Sequence, residues 1–257
     1  MKHFYRLLNY EFSRLFASAA LLYFGVIATP LVFLNIAAKK SGNIYGRFED
    51  LYADSGSIII FAVFFAILCG IFIKNIYSDY WGSKGIYTLL SLPIKREYIY
   101  FSKLIAFFIV SIGFIGAQLV GYMIAYRFFA PDIIYDSAGM TIPREMHNGL
   151  FLSFIRSDFM RLFLPAGHES IVSSLAALTA VVCAVYYGAL CERSRRYWGY
   201  IFIVFAAGLI IYTFNYRMQA LYYSEYINMY PYSAVLFLLS GFFIWHGIRL
   251  VKSGAVA

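Results

Sequence analysis

The sequence contains few charged residues. Asp, Glu, Lys and Arg make up 13% of the 257 residues, against about 25% in an average soluble domain. Hydrophobic residues make up 62%, and the mean hydropathy is +0.71. These values exclude a soluble globular domain and a disordered chain. The three cysteines, Cys69, Cys183 and Cys191, lie in apolar stretches, and their odd number argues against a secreted disulfide framework.

Common enzyme motifs are also missing. The sequence has no GxSxG, HExxH or GxxxxGK[ST] pattern, which are the marks of hydrolases, metalloproteases and nucleotide-binding loops. The run Gly167-His168-Glu169-Ser170 is superficially suggestive, but Glu169 and Ser170 suit the N-terminus of a helix. We therefore expect no catalytic residue, no metal site and no cofactor on this chain.

Long apolar runs dominate what is present. A bilayer core about 30 Å thick requires roughly 17–25 apolar residues in a helix, and six runs free of Asp, Glu, Lys and Arg have such a length. They are residues 15–38, 55–73, 104–126, 170–191, 197–216 and 226–248. None alternates polar and apolar residues as barrel strands do. The sequence predicts an all-α polytopic membrane protein, with one six-helix transmembrane domain over residues 1–257.

The first run is expected to be a permanent helix. It is longer than the apolar core of a signal peptide, and Lys39 and Lys40 follow it in place of a cleavage site.

The positive charges predict the orientation. With the N-terminus inside, the inner segments carry 13 Lys and Arg against 4 Asp and Glu, whereas the outer loops carry 8 against 9. An excess of Lys and Arg marks the cytoplasmic side, so both termini are predicted to be cytoplasmic. The net charge of +8 is thus an orientation signal, and we expect no nucleic-acid partner.

The six runs contain no side chain that could couple transport to an ion. Ion-coupled carriers and proton pumps use carboxylates or bases within the membrane. His246 is the only histidine within a run, and its position near the inner end favours an interfacial role. Backbone carbonyls of broken helices remain an alternative for Na⁺. The sequence favours an energy source outside this chain.

Small and polar residues within the runs are candidates for helix packing or for substrate contact. Small residues recur at every fourth position at Gly113, Ala117 and Gly121 and again at Ala176, Ala180 and Ala184, which allows close helix approach. Asn35 and Gln118 are the buried polar candidates. Each could bond a neighbouring helix or line a substrate path.

Two amphipathic segments flank the spans. Residues 4–16 place Phe4, Leu8 and Phe12 on one face, typical of a helix in the inner interface of the membrane. Glu11 lies near this apolar face, and we expect it to pair with a base such as Arg14. Residues 147–164 predict one amphipathic helix on the outer face, with Phe151, Phe154 and Phe159 among its apolar residues and Ser153, Arg156 and Arg161 opposite them. It could be a lid, a gate or a substrate contact.

The inner loop between the second and third runs is the most informative segment. Ile86, Leu89 and Leu90 form a short apolar face, and Pro93 disfavours helix at the residue before it. An apolar face exposed to the cytosol needs a partner surface. The alternative is that the segment rests on the inner leaflet.

This loop resembles a known family. Residues 85–99 read Gly-Ile-Tyr-Thr-Leu-Leu-Ser-Leu-Pro-Ile-Lys-Arg-Glu-Tyr-Ile, and Lys103 follows. The run is similar to the Gly-Thr-Leu-(Glu)-Leu-Leu-Leu-Ser-Leu-Pro-(Ile/Val)-(Ser/Thr)-Arg signature of bacterial ABC-2 type permeases, which leads to Gly-Lys-Leu. An acidic residue in an N-terminal interfacial helix, here Glu11, and six spans also match. The chain departs at residues 81–84, Trp-Gly-Ser-Lys, where the family usually has Glu-Arg-Glu.

The resemblance implies a coupling helix that docks on a separate ATPase. The implied contact residues are Gly85, Ile86, Thr88, Leu89, Leu90, Ser91, Leu92, Pro93, Lys95, Arg96 and Glu97. It further implies ATP and Mg²⁺ on that partner, two copies of the ATP-binding subunit, a second or paralogous permease, membrane lipid around the spans and a bacterial plasma membrane.

We therefore expect the permease subunit of an exporter that moves a hydrophobic or amphipathic peptide, lipid or drug outward. Two other classes remain open from the sequence. A membrane anchor or sensor scaffold could use the same loop to hold a cytosolic partner, and a membrane-embedded enzyme would need a polar cluster in the bilayer.

Overall fold

The computed structural model describes residues 2–41, 48–81, 95–129, 136–137, 140–141, 149–163, 167–223 and 228–252. This part of the chain forms nine helices and one short antiparallel strand pair. The helices are α1 (Lys2–Ser41), α2 (Phe48–Asp54), α3 (Ser57–Trp81), α4 (Arg96–Phe129), α5 (Gly149–Arg156), α6 (Asp158–Phe163), α7 (His168–Arg193), α8 (Gly199–Tyr223) and α9 (Tyr230–Lys252). The strands are β1 (Asp136–Ser137) and β2 (Met140–Thr141), which lie between α4 and α5.

Six of these helices, α1, α3, α4, α7, α8 and α9, are long and apolar enough to cross a membrane. The predicted all-α architecture with six spans is confirmed. Each helix extends beyond the C-terminal end of its charge-free run, whereas α3, α8 and α9 begin two to four residues inside theirs. At 40 residues, α1 is about 60 Å long, roughly twice the thickness of a bilayer core. The predicted N-terminal interfacial segment is therefore continuous with the first span.

The longer helices change one expectation about charge. The charge-free runs predicted spans without charged side chains, but Glu11 in α1, Lys103 in α4 and Arg217 in α8 are buried within the helices. The charged residues do not end these helices because Lys, Arg and Glu have good helix propensity and because each of the three has polar partners.

The chain divides into two compact units. The first unit contains Met1–Ala19, Leu68–Ile112 and Gly167–Ala257. In it α7 packs against both α8 and α9. Aromatic pairs fill the space between α3, α4 and α7. The rings of Phe72 and Phe107 stack with centroids 4.0 Å apart, and those of Tyr100 and Tyr186 stack at 4.8 Å.

A tight turn over residues 194–198 joins α7 to α8 in this unit. The amide of Arg196 donates to the carbonyl of Cys191, and the amide of Arg195 donates to that of Glu192. This pair of bonds is a Schellman motif, in which the residue after the cap takes a left-handed conformation. Arg195 has a φ of 52°, so a position that favours glycine is occupied by arginine.

The second unit contains Ala20–Ile67 and Gly113–Ala166. Its core is aromatic, with the Tyr52 and Tyr122 rings 4.8 Å apart and the Phe61 and Phe114 rings 5.2 Å apart. The short helix α2 supplies Phe48, Leu51 and Tyr52 to this core. α2 was not predicted from the sequence, although its three buried residues have the three- and four-residue spacing of one helix face.

The predicted single amphipathic helix over residues 147–164 is interrupted within its described residues, 149–163. The segment forms two helices, α5 and α6, that meet at Ser157. Ser153 is buried, whereas Phe151 is 64% exposed. The reason is a hydrogen bond between the hydroxyls of Ser153 and Tyr122 at 2.5 Å, which satisfies a polar group in the core. Phe159 and Met160 of α6 are buried, as expected of apolar residues.

Candidate functional site

The predicted coupling segment lies at the junction of α3 and α4. Ten of its positions, residues 85–94, fall outside the described residues; they include Gly85, Ile86, Thr88, Leu89, Leu90, Ser91, Leu92 and Pro93. The last three positions are described. Lys95 is exposed immediately before α4, and Arg96 and Glu97 begin that helix.

The first turn of α4 is tied to the end of α9. The carboxylate of Glu97 lies 2.5 Å from Lys252 Nζ, and both side chains are largely exposed. Each charge also suits its own helix, because a carboxylate is favourable at an N-terminus and an ammonium at a C-terminus. The contact places the end of α9 next to the start of α4.

A buried ion pair lies one to two turns further along α4. Lys103 Nζ is 2.9 Å from Glu11 Oε1, and the Asn75 amide donates to Glu11 Oε2 at 3.3 Å. Glu11 and Lys103 are 1% and 4% exposed. Burying a single charge at this site would be costly, so the two charges and the amide must be present together.

This polar contact joins three helices. Glu11 belongs to α1, Asn75 to α3 and Lys103 to α4. Arg14 of α1 also donates to the Ser78 hydroxyl of α3 at 2.9 Å. α3 and α4 are the helices that precede and follow residues 82–94, and these bonds join both of them to α1.

In the sequence pattern Glu11 lies near an apolar face, and a base close to it in the sequence was its predicted partner. Its described ionic partner is Lys103, 92 positions away. In the sequence, Lys103 is distinguished only by its position after the loop motif. Lys103-Leu104 stands where the family that the loop resembles has the Lys-Leu of its Gly-Lys-Leu.

The small residues of α4 lie where α1 approaches it. A Cβ atom added at Gly121 would be 3.3 Å from the Ile27 Cα, and one added at Gly113 would be 2.6 Å from the Tyr23 hydroxyl. Ala117, between them, is half-buried. The two glycines therefore allow backbone and ring contacts that a larger residue would prevent.

The small residues of α7 divide into two groups. Ala176 and Ala180 are fully buried in a cluster with Leu236 of α9, against which Leu209 and Phe214 of α8 pack. Ala184 lies one turn further along, where the space between α7 and α8 opens into a cleft. Only the first group lies in a closed helix interface.

The two polar candidates of the spans differ in burial. Gln118 is 3% exposed, and its amide donates to the Tyr52 hydroxyl at 2.6 Å. Burial raises the pKa of Tyr52 above its usual value, so this hydroxyl is neutral at physiological pH. Asn35, in contrast, is exposed, so the expectation that it is buried was wrong. The neighbouring Leu34 occupies the buried position of that turn.

Two further polar groups occur in the first unit. Arg217, expected in the last outer loop, lies in α8, where its guanidinium donates to the Ser174 hydroxyl at 3.0 Å and to the Ser170 carbonyl at 2.9 Å. The His246 Nδ1 and the Tyr187 hydroxyl share a hydrogen bond of 2.6 Å. Among the described residues, no group of three His, Cys, Asp or Glu side chains is placed to hold a metal ion.

Residues 7–156 match the profile of a family described as "ABC-2 family transporter protein". The match covers more than half of the chain and includes Glu11, Asn75, Lys103 and the whole coupling segment. No curated protein and no solved structure matches the chain.

Proposed function

The chain belongs to the ABC-2 transporter family as a multi-pass membrane permease of an ABC transporter, and from this premise we propose that it exports a hydrophobic or amphipathic molecule with energy from ATP hydrolysed on a separate subunit. The family implies an association with an ATP-binding cassette subunit. We propose two copies of that subunit, each with its own ATP and Mg²⁺, and a second permease that is either the same chain or a paralogue. The membrane is the bacterial plasma membrane, with both termini cytoplasmic.

The observation that carries the proposal is the buried contact between Glu11, Asn75 and Lys103. It links the two helices next to the coupling segment to the N-terminal part of α1. This contact gives the Glu11 carboxylate the Lys103 ammonium and the Asn75 amide as partners. It suits a rigid joint between helices that move together.

The proposed cycle begins on the cytoplasmic side of the membrane. Residues 85–97 dock on the ATPase through Leu89 and Leu90, and ATP-driven movement of the ATPase displaces the adjoining ends of α3 and α4. The Glu11–Lys103 pair passes that displacement to α1. The substrate path then opens between two permeases, since one six-helix bundle has little room for a large solute.

The exposed surface supports the proposed substrate class. Many side chains of the spanning helices are exposed and apolar or aromatic, including Phe24 and Phe33 of α1 and Phe205 of α8. Asn35 of α1 is an exposed polar residue. Such a surface suits an amphipathic peptide, a lipid or an apolar drug better than a charged solute.

The test replaces Leu89 and Leu90 together by Asp in the chain co-expressed with candidate ATPases. We expect the ATPase to be lost from the purified complex and its ATP turnover to fall to the level of the ATPase alone, because two carboxylates cannot enter an apolar groove. Tyr197→Asp with Trp198→Asp is the matched control. It places two carboxylates at exposed positions in the turn between α7 and α8, on the same predicted side of the membrane, and should leave the complex intact.

The docking assignment is wrong if the Leu89 and Leu90 double variant keeps both complex formation and ATP turnover.

A further inference from the structure

The first unit contains an open apolar cleft between α3, α7 and α8. Its volume is about 360 Å³, near the lower end of the range of about 300–1,000 Å³ for small-molecule sites. The cleft exists because short side chains face each other across it, Ala184 and Gly188 from α7 and Ala206 and Ala207 from α8. Its surface is almost entirely apolar, so water gains few partners there.

The length of the cleft matches half a bilayer. Its lining runs from Val181 to Glu192 along α7 and from Tyr200 to Ile210 along α8. At 1.5 Å for each helical residue, this is about 15 Å, and the hydrocarbon core of a bilayer is about 30 Å thick. The cleft is therefore as long as the acyl region of one leaflet.

Polar groups are confined to one end. The Tyr77 hydroxyl donates to the exposed carboxylate of Glu192. The Tyr200 hydroxyl donates to the Gly188 carbonyl at 3.4 Å. Arg193 follows Glu192 in the last turn of α7. This end carries one negative and one positive side chain, and it is the end predicted to face the cytoplasm.

We propose that the cleft binds one acyl chain of an inner-leaflet phospholipid that has a primary ammonium in a zwitterionic headgroup, of the phosphatidylethanolamine class. The acyl chain fills the apolar length, and the ammonium contacts Glu192 while the phosphate lies toward Arg193. The charges of the headgroup complement the two side chains, and a chain of leaflet length complements the cleft. The site does not depend on ATP coupling or on the direction of transport.

The test uses the full-length chain, without an ATPase, in nanodiscs of phosphatidylglycerol. A trace of phosphatidylethanolamine carries a photoreactive diazirine on one acyl chain, and adducts are mapped by mass spectrometry after illumination. We expect the adducts to concentrate on residues 181–193 and 200–210. Adducts spread evenly over the exposed faces of all six long helices would overturn the proposal.

Two matched variants test whether the cleft itself holds the chain. Ala207→Phe places a ring in the cleft and should reduce adducts there about tenfold, because several methylene contacts are lost. Ala234→Phe makes the same change at an exposed position of α9 that does not line the cleft and should leave the yield unchanged. Equal yields in both variants would contradict the proposal. So would efficient disulfide formation between two copies carrying Ala207→Cys, since a second copy would then cover the cleft.

Competition with unlabelled lipid tests the headgroup and needs no variant. Phosphatidylethanolamine should displace the probe about threefold better than phosphatidylglycerol with the same acyl chains, as expected of one exposed ion pair. Glu192→Gln keeps a hydrogen-bond acceptor for Tyr77 and should abolish that preference while the adducts stay on the same residues. Equal competition by the two lipids, or a preference that survives Glu192→Gln, would overturn the assignment of the ammonium.

Discussion

At the scale of single residues, the Glu11–Lys103 pair is a buried ion pair of the first unit. Both side chains are almost fully buried, so each has given up hydration, and the opposite charge compensates for part of that loss. The exposed pair of Glu97 and Lys252 differs in this respect, because water still solvates both of its charges.

Lys103→Met should lower the free energy of unfolding by about 3–5 kcal/mol, because it leaves the Glu11 carboxylate buried without its cation. The measurement is the thermal unfolding midpoint of the purified chain in detergent. Combining Lys103→Met with Glu11→Gln removes both charges and should recover most of the loss.

Lys252→Met is the control for that prediction, since it removes the cation of an exposed pair and should shift the midpoint little. If Lys103→Met and Lys252→Met had equal effects, or if the double variant were no more stable than Lys103→Met, the pair would not have the structural role described above.

At the scale of helices, the packing of α7 depends on residue size. Ala176 and Ala180 allow α7 to approach α9 closely at Leu236, whereas Ala184 and Gly188 leave a cleft toward α8. One repeating pattern in the sequence thus has two structural outcomes, which depend on the side chains that the neighbouring helices present.

Ala180→Leu should lower the free energy of unfolding by about 1–3 kcal/mol, because the added carbons have no space in the closed interface. Ala234→Leu adds the same atoms at an exposed position of α9 and should have almost no effect. Thermal unfolding in detergent compares the two. A smaller loss for Ala180→Leu than for Ala234→Leu would show that α7 and α9 do not pack as described.

The helices also show what a sequence can and cannot predict. The six spans follow from length and charge, because the bilayer imposes both on any helix that crosses it. The predicted spans stop short of Lys103 and Arg217, although the helices include both residues, because these side chains find partners that are distant in sequence. The burial of Ser153 depends on the Tyr122 hydroxyl, a tertiary contact that helical periodicity does not contain.

At the scale of the whole molecule, the predicted topology places residues 82–95 and 194–198 on the cytoplasmic side and residues 224–229 outside. The orientation rests on the distribution of Lys and Arg. Docking of an ATPase on residues 85–97 requires this orientation, because ATP is hydrolysed in the cytoplasm.

Cysteine labelling in inside-out and right-side-out vesicles measures this orientation. After Cys69, Cys183 and Cys191 are replaced, Ser91→Cys should react with a membrane-impermeant maleimide only in inside-out vesicles. Asn228→Cys, which is exposed before α9, should react only in right-side-out vesicles. The reverse pattern would contradict the topology.

The central claim is that this chain is a conduit whose energy comes from a partner. Transport of a fluorescent amphipathic peptide into inside-out proteoliposomes, with and without the ATPase, tests it most directly. The account predicts uptake that requires both the partner and ATP hydrolysis, and that stops when Leu89 and Leu90 are replaced by Asp. Uptake by the chain alone, driven by a proton or sodium gradient, would contradict it.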